Sequence, residues 1–368
     1  MLPYFVLLAV VFTLAYYVQT QQRVSNQNLI RKAHTQDGRW ALIIMTAILV
    51  LFAGLRNWVG SDFGVYRWFY TDIYPNASLW ETLFLEEEGL FWGIAVILNY
   101  FTADPTLFFL ICSALIVIPI IRIISRYSIN FSLSVFLYLA MMDYFSSFNG
   151  MRQWVATAIL FAGLPLLLDG KKWKYGFLIL LAYFFHNSAV IMLPAMFTLY
   201  WKPKSGKTYV LLLFIFTFFF VFPKQTNEFL QWIAPENYKK YFDNEGDDGV
   251  HILRVLVAVL PVVLTRIFYN NIAENEKEKP LIDILINFST LHFMIMMLGL
   301  QNTTMARLGM YFSPYNVLLI PYLLRVFKQE SRLTAKVIVM ICFFAYFYLL
   351  LPVDSNLLPY RSVLDGFW

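Results

Sequence analysis

The strongest constraint on this chain is the return, along its whole length, of apolar runs close to the length that crosses a bilayer. A spanning helix needs roughly 20 apolar residues, with about 17 tolerated. Runs near that length fall at 2–18, 40–55, 105–121, 129–147, 151–168, 173–185, 187–201, 208–222, 251–269, 281–298, 308–324 and 337–351. No polar stretch between them is long enough to fold by itself, the longest being Pro223 to Gly249. Only 14% of the residues are charged, against about 25% in soluble domains. The expected fold class is therefore all-α: a polytopic transmembrane helical bundle of about 12 spans, forming one integral membrane domain over residues 1–368. The first run lacks a basic leader and a small-residue cleavage site, so we read it as a retained span. Cys112 and Cys342 both sit in apolar runs and promise neither a disulfide framework nor a thiol-metal site.

Sidedness follows from the basic residues. Trp173 to Trp201 is interrupted by His186-Asn187-Ser188 and flanked by Lys171, Lys172 and Lys174 before it and Lys202, Lys204 and Lys207 after it. Two short helices meeting at His186 keep both lysine clusters in the cytoplasm, as the positive-inside rule asks; a single crossing does not. With that choice most of the 28 basic residues fall inside, and both termini face out. The outer face then carries the long loops, 56–104 and 223–250, with a short apolar helix at 90–101 expected to lie in the interface. Rigidly held loops are where function concentrates, so the outer face is where we look.

Four features there carry charge close to the lipid. Arg56 leaves the second run and is followed by Asp62 in the glycine-punctuated stretch 54–66. An arginine beside Trp58 serves as an interfacial anchor, or the side-chain-poor turn admits a ligand. Asn149 stands where it can cap the helix after 150, which puts Arg152 in that helix's first turn. A cation is disfavoured there by the helix dipole, so an anion is required. Asp143 is one partner, and a bound phosphate is the other. His186 sits at the helix break, and polar groups at membrane depth default to functional hypotheses. Arg307 opens a further outward helix in the stretch 301–311. Three arginines on one face suit bidentate binding of pyrophosphate.

Weaker signals are Glu86-Glu87-Glu88, read as a solvated face, and Tyr238, Lys239, Lys240 and Tyr241, which offer stacking platforms for a sugar. No P-loop, zinc motif or serine-hydrolase elbow is present, so no cofactor or metal is called for, and no nucleic acid is expected as a partner.

The stretches G-L-R…G-S-D-F-G-V-Y at 54–66, F-N-G-M-R-Q at 148–153, F-H-N-S-A at 185–189 and A-R-L-G-M-Y at 306–311, with Pro359-Tyr360 near the end, occur in one order. Together they resemble the EpsG/Wzy-type polysaccharide polymerases of bacteria, from about residue 40 onward. The resemblance implies a GT-C-like membrane glycosyltransferase in the bacterial cytoplasmic membrane, working on its outer face. It would transfer a growing glycan from undecaprenyl pyrophosphate to the next lipid-linked repeat, beside a flippase and chain-length regulator proteins. In that reaction Arg152 and Arg307 would hold pyrophosphate, with His186 assisting and Arg56 contributing or anchoring. Asp62 or Tyr238 would serve as base, and Asn149 and Tyr241 would touch substrate. A ligase-type enzyme shares the donor and differs in acceptor. A flippase or transporter should instead carry inverted repeats and midplane polar groups.

Overall fold

An apolar run becomes one straight helix only where its ends are capped and nothing polar interrupts it. In the computed structural model, residues 1–24, 32–208, 210, 214, 249–300, 302–353 and 356–367 are described. Thr35 opens α2 (Gln36–Gly54) by accepting the Gly38 N–H at 3.2 Å, with Asp37 in the first turn where the dipole favours an acid. α1 (Leu2–Thr20) precedes it, joined through a two-stranded antiparallel ribbon, Gln22–Val24 with Lys32–His34. Among the described residues, six segments are long and apolar enough to cross a membrane: α1, α2, α6 (Thr106–Tyr127), Met151–Leu168, Lys279–Leu298 and Gln329–Leu350. The protein is a helical membrane protein.

Half of the twelve expected spans are thus single helices of crossing length, and the described runs among the rest are shorter or locally broken. The 129–147 run starts late because Asn130 caps α7 (Phe131–Ala140), accepting the Leu133 N–H at 3.2 Å. It ends early because Met142 takes the left-handed conformation, φ 72°, before α8 (Asp143–Ser146). The run at 173–201 divides at His186, as its polar triplet predicts: α11 (Lys172–Phe185) stops there and a 3-10 turn follows. The run at 308–324 breaks into 3-10 turns before Asn316–Leu323. The run at 251–269 makes the 16-residue helix Ile252–Ile267. Most of the 208–222 run lies outside the described residues. The segment read as lying in the interface is α5 (Gly89–Asn99), and Phe91, Trp92, Ala95 and Val96 on it are buried within the protein.

Two compact units emerge, one of Met1–Val190 with Ile320–Trp368 and the other of Ile191–Leu319. In the first, α1 packs on α2 and α7, and α6 packs on α2 and α9 (Met151–Ala162). α9 also packs on α11, and the helix Arg332–Leu350 lies on α7. Tyr138, Tyr144, Phe145, Phe148 and Trp154 fill the middle. The ends of these helices sort into two faces. On one, the C-terminal tail closes over the end of α2. The Asn57 N–H donates to the Arg361 carbonyl at 2.9 Å, Gly60 N–H to Asn356 at 3.0 Å, and Val363 N–H to Leu55 at 2.9 Å. Tyr4, at the start of α1, donates to the Leu357 carbonyl of the same tail. On the opposite face the Ser132 N–H donates to Gln19 Oε1 at 2.9 Å, and Lys336 Nζ reaches Asn130 Oδ1 at 3.3 Å.

The second unit is held by polar side chains on its apolar helices. Asn287 donates to the Leu199 and Trp201 carbonyls at 3.0 and 2.9 Å, Arg266 to the Pro203 carbonyl, and Phe288 stacks on Tyr315 at 3.6 Å. Buried polar groups of this kind hold helices together in lipid.

Candidate functional site

The site begins with a turn. α4 (Leu79–Leu85) is capped by Ser78 and packs against α5, so the chain must reverse within residues 86–88. It does so with Glu88 in the left-handed region, φ 58°, which costs a non-glycine residue roughly 1–2 kcal/mol. Gly89 follows because nothing larger fits: a Cβ there would lie 2.3 Å from the Thr82 carbonyl oxygen. Glu88 occupies the N-cap position of α5 yet makes no side-chain cap bond. Its carboxylate is sent elsewhere.

It goes to Arg152 and His186. Arg152 lies in the first turn of α9, where the dipole disfavours a cation, and its Nη1 donates to Glu88 Oε2. His186 ends α11 in extended backbone, and its Nδ1 meets Glu88 Oε1. The Asn187 N–H, freed by the same break, points to Oε1 at 3.4 Å. Burial pushes the Glu88 carboxyl up, but the hydrogen bond and charge of His186, with Arg152 and the Asn187 N–H, more than offset it and hold it below its ordinary value. The carboxylate is buried, while the Arg152 side chain keeps 37% of its surface open, so a charged group is fixed from behind and offered in front. The guanidinium lies 5.5 Å from the Trp92 ring centre. Trp92 is packed in turn by Phe69 at 4.6 Å and Tyr74 at 5.1 Å.

A second limb joins this cluster through Asn149. Its side-chain oxygen does not cap α9, whose N-cap is Gly150. It accepts instead from the Ser61 hydroxyl at 3.2 Å and the Asp62 N–H at 3.5 Å. That reach across needs Gly60, whose φ of 97° and close approach to Asn149 exclude a side chain. The Asn149 carbonyl accepts from Tyr66 Oη at 3.1 Å. The Tyr66 phenol, raised by burial, feels both Arg152 and Asp62. Asp62, Asn149, Arg152 and His186 therefore belong to one connected constellation.

Arg56 stands behind it. Only 1% exposed, it donates to the carbonyls of Ala53 and Phe148, the latter at 3.1 Å, and sits 5.0 Å from the Phe109 ring centre and 4.8 Å from that of Phe148. Desolvation draws the guanidinium down to about 10, still cationic at neutral pH. This geometry ties the turn after α2 to the start of α9, without the snorkelling to the interface expected beside Trp58.

Other expectations are corrected. An anion that answers Arg152 is Glu88, which the sequence reading passes over in favour of Asp143 or a bound phosphate. The Glu86–Glu88 run is not a uniform solvated face, since Glu88 is buried. Arg307 does not open a helix: Asn302 caps Thr303–Arg307, accepting the Thr304 N–H at 2.8 Å, and Arg307 ends it, where the dipole favours a cation. It belongs to the second unit. Cys342 is exposed on its helix, and Cys112 alone is buried. Tyr238 and Tyr241 lie outside the described residues. Among the described residues no three His, Cys, Asp or Glu side chains gather as a metal set. Glu88 was missed because a run of like charges reads as solvated. The available signal was its place immediately before glycine and an apolar helix, which draws the last acid of the run inward.

The model of the EpsG family matches residues 39–362. No curated protein and no solved structure matches the chain. The match begins at α2, runs through Glu88, Arg152, His186 and Arg307, and ends in the tail that locks Arg56. The chain belongs to the EpsG family, a Wzy-type polysaccharide polymerase family.

Proposed function

We propose that this protein joins lipid-linked oligosaccharide repeats on the outer face of the bacterial cytoplasmic membrane, moving the growing glycan from undecaprenyl pyrophosphate to the terminal sugar of the next repeat. One observation carries the reading: a half-open arginine, held from behind by a buried carboxylate that also holds a histidine. Departure of a pyrophosphate needs fixed positive charge where negative charge develops, and the acceptor hydroxyl needs a base. Arg152 supplies the first, and Arg307 is a separate candidate for donor binding. Asp62 and His186 are the groups suited to the second. Asn149 fixes the turn that carries Asp62, and Tyr238 and Tyr241 supply sugar contacts. Twelve crossings with both termini outside, in a GT-C-like arrangement, complete the proposed topology.

The test is polymer formation in cells lacking the native chain. Arg152→Ala and Arg307→Ala should each cut chain growth by about 100-fold or more, the scale of losing one preorganised charge partner, with membrane insertion intact. Normal polymer from both variants would overturn the pyrophosphate assignment.

A further inference from the structure

We infer that Glu88 is a positioning residue of the transfer step, which orients His186 as the base for the acceptor hydroxyl while holding Arg152 against the departing pyrophosphate. The inference rests on the proposed polymerase reading and adds to it a residue and a division of labour.

Three features separate this role from that of a plain counter-ion. A counter-ion for Arg152 needs one oxygen, yet both are committed: Oε2 to Arg152, Oε1 to His186 Nδ1 and to the Asn187 N–H at 3.4 Å. Oε1 thus fixes the histidine ring and the backbone just after it. The second feature is conformational. Glu88 gives up the cap of its own helix and accepts a left-handed backbone to reach these partners. Strain of that kind persists only where the surroundings over-determine it, and it gathers at functional sites. The third is chemical. A carboxylate on Nδ1 keeps the proton on that nitrogen, leaving Nε2 as the one that accepts. Asp62 has no such arrangement: its carboxylate meets the exposed Ser61 hydroxyl at 3.1 Å.

The step then balances. The acceptor hydroxyl gives its proton to His186 Nε2, and its oxygen forms the new bond to the anomeric carbon. The bond from that carbon to the pyrophosphate oxygen breaks, and its electron pair leaves on the phosphate, where Arg152 meets the charge. Glu88 stays ionised throughout and steadies the imidazolium that forms.

Glu88→Gln keeps the shape and tests the role. Its amide N–H can donate to Nδ1, which moves the ring proton to Nε2 and removes the base. With purified full-length protein and the lipid-linked repeat that accumulates in cells lacking this chain, the variant should lose about 100-fold or more in kcat, as other wrong-tautomer variants do. The donor KM should change little. His186→Ala should regain turnover with added imidazole, and the Glu88→Gln/His186→Ala double variant should not. A Glu88→Gln variant with raised KM and unchanged kcat would overturn the inference by reducing Glu88 to a support for Arg152. Equal imidazole rescue with and without Glu88, or rescue of neither, would overturn it as well. If the wild-type protein joins no repeats at all, the polymerase reading itself fails, which is a distinguishable result.

Discussion

Glu88 and Gly89 form a unit whose two members fail differently. The atoms that a Cβ on Gly89 would strike are backbone, the Thr82 oxygen at 2.3 Å and the Leu83 oxygen at 2.7 Å, so no flexible side chain can yield. Gly89→Ala must move the turn and carry Glu88 off Arg152 and His186. We expect it to abolish polymer formation and to lower stability by about 1–3 kcal/mol, the usual cost of forcing atoms into a packed site. Gly176, inside α11, is the control: nothing lies within 4 Å of its Cβ position, so Gly176→Ala should stabilise by about 0.5–1 kcal/mol. Thermal unfolding in detergent ranks the two, and a neutral Gly89→Ala would contradict the geometry of the turn. The Glu88 carboxyl also has a pH signature. Because its folded value lies below the ordinary one, its stabilisation is complete above the ordinary carboxylate range and is lost as pH falls through the folded value. Wild type should therefore lose more stability than Glu88→Gln on acidification below about pH 4.5. Parallel losses would mean that the carboxylate is not held as an anion.

The tail is the element that makes the first limb of the site rigid. Tyr360 stacks on Phe52 at 4.1 Å and donates to the Phe52 carbonyl at 2.8 Å. On either side of it, backbone bonds tie residues 55–60 to residues 356–363. Arg56, Gly60 and through them the Asp62 turn thus depend on residues about 300 positions away in sequence. Tyr360→Phe keeps the stack and removes one hydrogen bond, a loss of about 1 kcal/mol. Tyr360→Ala removes both and should cost about 3–5 kcal/mol, with reduced transfer; equal melting of the two variants would show that the stack carries nothing. Such dependence explains what was legible beforehand. The break at His186 could be read because a polar triplet interrupts an apolar run, and the long helices could be read because their composition repeats. The break at Met142 could not, since methionine carries no turn signal and its left-handed backbone is imposed by packing. Asn149 reads as a cap on its own helix because local bonds are what a sequence announces. Its bond to the 60–62 turn is long-range and leaves no spacing to find. Arg152's need for an anion was legible from the dipole alone, but the identity of that anion required the fold.

Charge sorts the first unit end to end. The face that carries the site also carries Asp62, Asp72, Glu81, Glu86, Glu87 and Asp365 against the arginines Arg56, Arg67, Arg152 and Arg361, of which Arg56 is buried and Arg152 is paired. At the opposite ends of the helices lie Arg122 and Arg126 on the last turns of α6, Lys171 and Lys172 at the start of α11, and Arg332 and Lys336 opening the helix that packs on α7. Basic connectors stay on the cytoplasmic side, while acidic ones have little say, and on this ground the outward-facing site belongs to the proposed topology. A substrate whose pyrophosphate is embedded at the outer surface would then meet Arg152 without crossing the apolar core. Single cysteines in a background of Cys112→Ala and Cys342→Ser test this in intact cells. The exposed positions Ser61, Glu87 and Asp365, each changed to Cys, should react with a membrane-impermeant maleimide. The exposed positions Lys172 and Arg332 should react only after the membrane is opened. Reaction at Lys172→Cys from outside, with Ser61→Cys protected, would put the Arg152–Glu88–His186 cluster on the cytosolic side. The glycan would then have to be extended before it is exported, and the donor assigned here would be the wrong one.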